Sequence, residues 1–349
     1  MRNSRNRLTI MVHVATLVLF VSCAASLGTA ASSGRHPLLI AHRGASGFAP
    51  EHTLASYQLA IEQGADFVEQ DLQVTKDGVF VCLHDPDLAR TTNVADVFPD
   101  RARTRDVEEP GKPKRGWYTI DFSLEEIKQL DAGSWFNRAN PFAANASYAG
   151  QKVPTMDEVV KFVGDRAGLY IELKHFQFYK SQGMDIAAKL TALLNSYGFN
   201  RPGRRERIFI QSFSKESLLR SRELAPEYPR IQLLPMEDAG REKDSAIVTP
   251  DLAKEISAYA SGVGPNKNLL KSKGDIDAFH AAGLLIHPYT FRGSTTAVKR
   301  IPLDQPSGGI NPRQQIVDEI RRFIDMGIDG GFTDYPSLWQ EALRKSKRQ

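Results

Sequence analysis

An α/β fold of parallel strands joined by crossover helices is predicted for this 349-residue chain by two observations. Eight short strand-like runs recur along it, and helical patterns separate many of them. Alternation of this kind argues for parallel strands with right-handed crossovers. Eight such units close a TIM (β/α)8 barrel, for which about 250 residues is the usual size. The strand count alone leaves a doubly wound sheet open. The chain is 41% hydrophobic and 25% charged, an ordinary globular balance, and it is longer than a bare barrel requires.

The strand-like runs fall at residues 38–40, 67–72, 169–173, 208–212, 231–234, 262–264, 284–287 and 331–333. Helix signals lie between them. The first helix is expected over 54–63, stopping at Gly64. Ser123 and Glu126 make a capping box that opens a helix through Leu130, and Thr155 and Glu158 make another just after Pro154, closed near Gly164. A further helix runs over 185–197 and ends at Gly198. Residues 87–150 break this rhythm. They are rich in Arg, Asp, Pro and Gly and show no clean strand, so they read as a capping insertion after the second barrel strand. Such lids restrict access to a barrel mouth.

The N-terminus reads as a secretory signal over residues 1–31, ahead of one barrel domain over 36–344. Arg2, Arg5 and Arg7 precede an apolar stretch over 8–21, and small residues follow. That stretch is shorter than the roughly 20 residues a membrane span needs, so no stable span is expected in the mature chain. The run Leu19-Phe20-Val21-Ser22-Cys23 resembles a lipoprotein box, but Phe20 stands where a smaller aliphatic residue is preferred, so lipidation at Cys23 is not favoured. The net charge is +4, and removing the three N-terminal arginines leaves about +1, which implies no broad basic surface for nucleic acid. Cys82, in the apolar run 79–83, is expected as a small buried residue.

Candidate chemistry is concentrated early in the chain, in Ala41-His42-Arg43, Pro50-Glu51-His52-Thr53, Glu69-Gln70-Asp71 and Leu83-His84-Asp85. Glu69 and Asp71 are two apart on a strand, so they share a face. Facing a barrel interior, they would repel unless a cation or a proton relieved them. With Glu172, at the end of another strand, they make an oxygen-rich set suited to Ca²⁺ or Mg²⁺, although pairing with surface Lys or Arg fits the spacing as well. His42 and His84 each follow an apolar run, at the strand ends where barrel enzymes place catalytic groups. Arg43 can grip phosphate in a bidentate fashion and Lys174 can add a point charge beside Glu172. Glu51 fits either a ligand or a loop-fixing role. His52 and Thr53 are expected to shape the loop and helix start, Asp85 to orient a neighbour, and Asp334 to serve in a turn. His175, His280 and His287, with no carboxylate in register, are read as structural.

In order and spacing, these pairs resemble the glycerophosphodiester phosphodiesterase family, above all its secreted or periplasmic branch. The likeness continues through Glu172-Leu173-Lys174, Gln211-Ser212-Phe213, His287-Pro288-Tyr289-Thr290 and Phe332-Thr333-Asp334, from about Leu38 to the C-terminus. The resemblance implies the barrel rather than the doubly wound sheet. It implies His42 as general base and His84 as general acid, with a divalent metal on Glu69, Asp71 and Glu172. Ca²⁺ is expected there, with Mg²⁺ the alternative. It also implies substrate contacts from Arg43, Lys174, Gln211 and Tyr289. The substrate would be a small glycerophosphodiester, cut to sn-glycerol 3-phosphate and an alcohol outside the cytoplasm. Two alternatives stand beside this reading: a phospholipase D-like hydrolase of lysolipids, and a non-catalytic extracytoplasmic phosphodiester-binding protein.

Overall fold

The structure, a computed structural model, describes residues 36–107, 111–235, 248–292, 303, 309 and 311–346. The expected signal segment, with Cys23, lies outside these residues. Among the described residues no helix is long and apolar enough to cross a membrane.

Eight parallel strands form one curved sheet. In chain order they are β1 (Leu38–Ala41), β2 (Phe67–Val74), β6 (Gly168–Leu173), β7 (Ile208–Ser212), β8 (Arg230–Leu234), β9 (Gly262–Pro265), β10 (Leu285–Ile286) and β11 (Gly330–Thr333). Each pairs with the next around the ring, and β11 returns to β1 with Leu38 opposite Gly330. The remaining seam is joined beyond β10. Asp329 N–H donates to Ile286 O at 3.1 Å, Phe332 N–H to Pro288 O at 3.0 Å and Phe291 N–H to Phe332 O at 2.7 Å. The result is a nearly closed (β/α)8 barrel, which removes the doubly wound alternative. The predicted helices are present as Leu54–Glu62, Leu124–Ile127, Met156–Val163 and Ile186–Ser196.

Period-2 alternation along the strands builds the site. Ile40, Phe67, Tyr170, Phe209, Ile231 and Phe332 pack together as an apolar floor inside the ring, with the Tyr170 and Phe209 rings stacked at 4.9 Å. Two residues further along the same strands stand His42, Glu69, Glu172, Gln211 and Asp334. An aromatic layer therefore supports a polar layer at the carboxyl end, where barrel enzymes hold their chemistry. Strand register sets Asp71 beside Glu172, and Glu172 beside Gln211.

Two expectations change. The run before His84 is not a barrel strand. It is β3 (Phe80–Cys82), an antiparallel return hydrogen-bonded to the end of β2. The insertion also contains strands, β4 (Arg103–Arg105) and β5 (Lys114–Gly116), paired antiparallel. Its own apolar cluster includes Val81, Leu88, Val94, Phe122, Ile127 and Leu130. Tyr148, from the far end of the insertion, donates its hydroxyl to Phe48 O at 3.0 Å in the loop after β1. Cys82 is fully buried and burial pushes its thiol up, as befits a packing residue.

Both predicted capping boxes form. Thr155 N–H donates to Glu158 Oε2 at 2.7 Å and Glu158 N–H to Thr155 Oγ1 at 3.0 Å. Thr155→Ala is expected to destabilise the fold by ~1 kcal/mol through loss of the cap. Thermal unfolding checks this, and turnover should be unchanged because the cap lies outside the pocket.

Candidate active site

The carboxyl ends of the strands open on a pocket of about 460 Å³, counted out to its mouth. This falls within the roughly 300–1,000 Å³ of small-ligand sites. Its walls include His42, Arg43, Glu69, Asp71, His84, Glu172, Gln211 and Tyr289. Lys174 lines the adjoining cavity, which shares Glu172 with this one. Its ammonium still reaches the acidic cluster, with Nζ 3.3 Å from Asp71 Oδ1 and 3.4 Å from Glu172 Oε1. Tyr289 donates its hydroxyl to Leu234 O at 3.0 Å, so its ring is what it offers the pocket. The ring meets that of Phe213 edge-on at 6.0 Å. Gln211 Oε1 is a buried acceptor without a protein partner.

Each of the two histidines is anchored by its own carboxylate. His42 Nδ1 is 2.7 Å from Asp334 Oδ1, and His84 Nδ1 is 2.5 Å from Asp85 Oδ1. Both rings line the pocket, so each Nε2 is left for a ligand. Burial, then the Arg43 charge, pushes the His42 imidazole down to about 4 against the pull of Asp334. Burial also lowers His84, against Asp71 and Asp85. His42 is therefore neutral at pH 7.

The acidic cluster is buried and partly neutralised by the protein itself. Arg43 N–H donates to Glu69 Oε2 at 2.7 Å. Arg43 Nε stands 3.3 Å from Asp71 Oδ2, attracted but not aligned for a hydrogen bond. His52 Nε2 is 2.9 Å from Asp71 Oδ2, and its Nδ1 is 2.8 Å from the Tyr57 hydroxyl. Burial alone would raise Asp71, but Lys174, His84, His52 and Arg43 hold it well below the usual carboxylate range. Glu69 lacks that compensation, and burial plus the Asp71 charge push it well up. Burial, with Asp71 opposing Lys174, brings Glu172 to about 7. These carboxylates are under-neutralised and hard, with no sulfur donor among them, so the donor set fits Ca²⁺ or Mg²⁺. Among the described residues, the grouping whose candidate ligand atoms all lie within 4.8 Å of one another is His52, Glu69 and Asp71. Glu172 stands at its edge, beside Asp71 in the strand register.

Among the described residues, Arg43, His52 and His175 are the non-glycine residues with positive φ, at 57°, 59° and 48°. All three stand at this mouth, where strained backbone tends to be held by surrounding structure for function. Gly44 follows Arg43 at φ 83°, and a Cβ there would lie 2.3 Å from Ser56 Oγ, so the turn aiming Arg43 requires glycine.

Sequence reasoning missed several partners. Asp334, expected in a turn, orients His42. The signal was available, since Asp334 follows inward-facing Phe332 by two. His52 binds Asp71 as well as shaping its loop. Glu51 joins Arg43 to Arg90 and was resolved no further than ligand or brace. His280, expected to have no carboxylate partner, has its Nε2 2.8 Å from Asp329 Oδ2. His287 is structural, with Nδ1 2.9 Å from the Tyr170 hydroxyl.

Burial holds His42, His175 and His287 each near 4, against about 6.5 in an unfolded chain. Between those values the unfolded chain binds protons that the native one does not. These three histidines should therefore withdraw stability as pH drops from about 6.5 towards 4, against the opposite contribution of Glu69 and Glu172, whose raised carboxyls bind protons first in the native chain. Melting temperature across this window checks the sign in a Glu69→Gln/Glu172→Gln variant, where the opposing carboxyls are gone; a rise on acidification there would contradict it.

A (β/α)8 barrel with carboxylate-anchored histidines and a buried acidic cluster at its mouth defines a barrel enzyme. Residues 42–338 match the glycerophosphoryl diester phosphodiesterase family. The chain is 36% identical over 323 residues to a glycerophosphodiester phosphodiesterase of Bacillus subtilis, covering 92% of this chain and 91% of the relative. It is 30% identical over 353 residues to one of Haemophilus influenzae, covering 89% and 90%. A glycerophosphodiester phosphodiesterase structure from Agrobacterium tumefaciens superposes with TM-score 0.59 at 26% identity, over 87% of this chain and 99% of that one. An Oleispira antarctica phosphodiesterase, in complex with its product sn-glycerol-3-phosphate, shares the fold with TM-score 0.62 at 24% identity, over 88% and 97%. This chain belongs to the glycerophosphoryl diester phosphodiesterase family and is a phosphoric diester hydrolase.

Proposed function

We propose that this chain hydrolyses glycerophosphodiesters to sn-glycerol 3-phosphate and an alcohol, using His42 and His84 as base and acid beside a divalent cation. The observation that carries the reading is two imidazoles, each anchored through Nδ1 to its own carboxylate, opening on one pocket with Glu69, Asp71 and Glu172. The names of the most similar relatives supply the substrate class.

Glu69, Asp71 and Glu172 would hold the cation, with Ca²⁺ expected from the family likeness and Mg²⁺ the alternative. When bound, it would withdraw charge from the non-bridging phosphoryl oxygens. The protein's own part is to orient and to move protons. Neutral His42 takes the proton of the nucleophile, either water or the neighbouring glycerol hydroxyl, whose attack gives a cyclic phosphodiester that water must then open to sn-glycerol 3-phosphate, and Asp334 stabilises the imidazolium that forms. His84, protonated on both ring nitrogens, gives its Nε2 proton to the departing alkoxide, while Asp85 holds Nδ1–H and favours that charged form. Arg43 and Lys174 keep positive charge against the phosphate.

The insertion over 87–150 would limit which head groups enter, and residues 1–31 would direct the chain outside the cytoplasm. Release of sn-glycerol 3-phosphate from glycerophosphocholine, compared with micellar lysolipid, tests the substrate. Product from the soluble diester supports the reading. Product from lysolipid alone would favour the phospholipase D-like alternative. Binding without product would favour a capture protein.

A further inference from the structure

Arg90 lies in the first turn of the insertion, Leu88–Arg90, which is anchored by buried Leu88 and capped by Asp87. Its guanidinium points back to the barrel mouth. Nη1 donates to Glu51 Oε2 at 2.9 Å and Nη2 to Glu51 Oε1 at 2.8 Å, a two-bond fork, while Nε donates to Asp85 Oδ2. Both partners are already engaged with pocket residues. Asp85 Oδ1 holds His84 Nδ1, and Glu51 Oε1 accepts from Arg43 Nη1 at 3.0 Å. Five side chains thus run unbroken as His84, Asp85, Arg90, Glu51 and Arg43.

We propose that Arg90 is a positioning residue, which fixes the ring of His84 through Asp85 and the fork of Arg43 through Glu51. The proposal rests on the acid–base reading given above. Arg90 touches no part of the pocket itself, and its side chain is 43% exposed. Exposed ion pairs contribute little to stability. Geometry is a different matter, because a fork with three bonds to two carboxylates allows each carboxylate one orientation. Without Arg90, Asp85 keeps His84 but loses the group that fixes its own plane. Glu51 keeps Arg43 as its cation and can draw that guanidinium towards itself, away from phosphate. A displacement of about 1 Å at reacting groups can lower turnover about 100-fold. The insertion is then more than a cover, since its first turn braces the catalytic geometry.

The test compares turnover of glycerophosphocholine by wild type, Arg90→Ala, Arg90→Lys, Asp85→Asn and the Arg90→Ala/Asp85→Asn double variant. Melting temperatures are taken in parallel. Arg101→Ala serves as a control, since Arg101 pairs with Glu126 elsewhere in the insertion. Arg90→Ala is expected to lower kcat roughly 10–100-fold with a near-native melting temperature. Lysine should restore part of the loss. The double variant should be much faster than independent losses would predict, because both residues act along one chain. Arg101→Ala should keep wild-type kcat. The proposal is overturned if Arg90→Ala turns over within twofold of wild type, if Arg101→Ala is equally slow, or if the two losses multiply. His84→Ala with full activity would instead sink the acid–base reading, and the two failures are distinguishable.

Discussion

His42→Ala should lower kcat by roughly 10²–10⁴-fold, the range over which a positioned base contributes. Three features make this the largest effect of a single side chain. The ring is neutral at pH 7 because burial and Arg43 hold its pKa near 4. It is oriented by Asp334 at 2.7 Å, so the proton acceptor faces the pocket. It follows inward-facing Ile40 on a strand paired on both sides, which leaves it little freedom. KM should change much less than kcat, because the grip on phosphate comes from Arg43 and Lys174. Steady-state kinetics on glycerophosphocholine give both values. A loss carried wholly by KM would assign His42 to binding.

Glu69→Gln should separate stability from activity. In the metal-free protein burial and Asp71 push the Glu69 carboxyl well up, so folding must either bury its charge or bind a proton to it, and both oppose folding. Removing it should raise the melting temperature of chelator-treated protein, by roughly 2–4 °C for each kcal/mol relieved. The same variant should lose activity to near background, since one donor of the acidic set is gone. Asp71→Asn should behave in the opposite way. That carboxylate serves Lys174, Arg43 and His52, and its loss strands buried cations, with destabilisation of about 3–5 kcal/mol. The contrast is read from unfolding curves in chelator. Equal destabilisation by both variants would mean that repulsion at Glu69 is negligible.

Much of this was legible in the sequence, because strands alternate with a fixed period. Glu69 and Asp71 on one apolar run had to share a face, and the register then set Glu172 beside Asp71. The run at 208–212 coincides with β7. What failed was long-range or antiparallel. The sequence placed His84 at a strand end without counting that run among the eight barrel strands, and periodicity alone could not show that it is the antiparallel return of β2. Asp334-Tyr335-Pro336 carries turn chemistry, which masked a partner 292 residues away from His42. Arg90 stood in a charged insertion where one arginine among many has no local mark. Its role depends on Glu51 and Asp85 being brought to the same side of the mouth. The partner of His280 lies 49 residues off, on the turn that opens β11.

The central claim is that a metal-dependent acid–base site cuts the glycerophosphodiester bond. Its most direct test is sn-glycerol 3-phosphate release by chelator-stripped protein, resupplied with Ca²⁺ or Mg²⁺, beside His42→Ala and Glu69→Ala. The account predicts product only after metal is returned, with near-background rates in both variants. Full activity in the stripped protein, or in either variant with metal present, would contradict it.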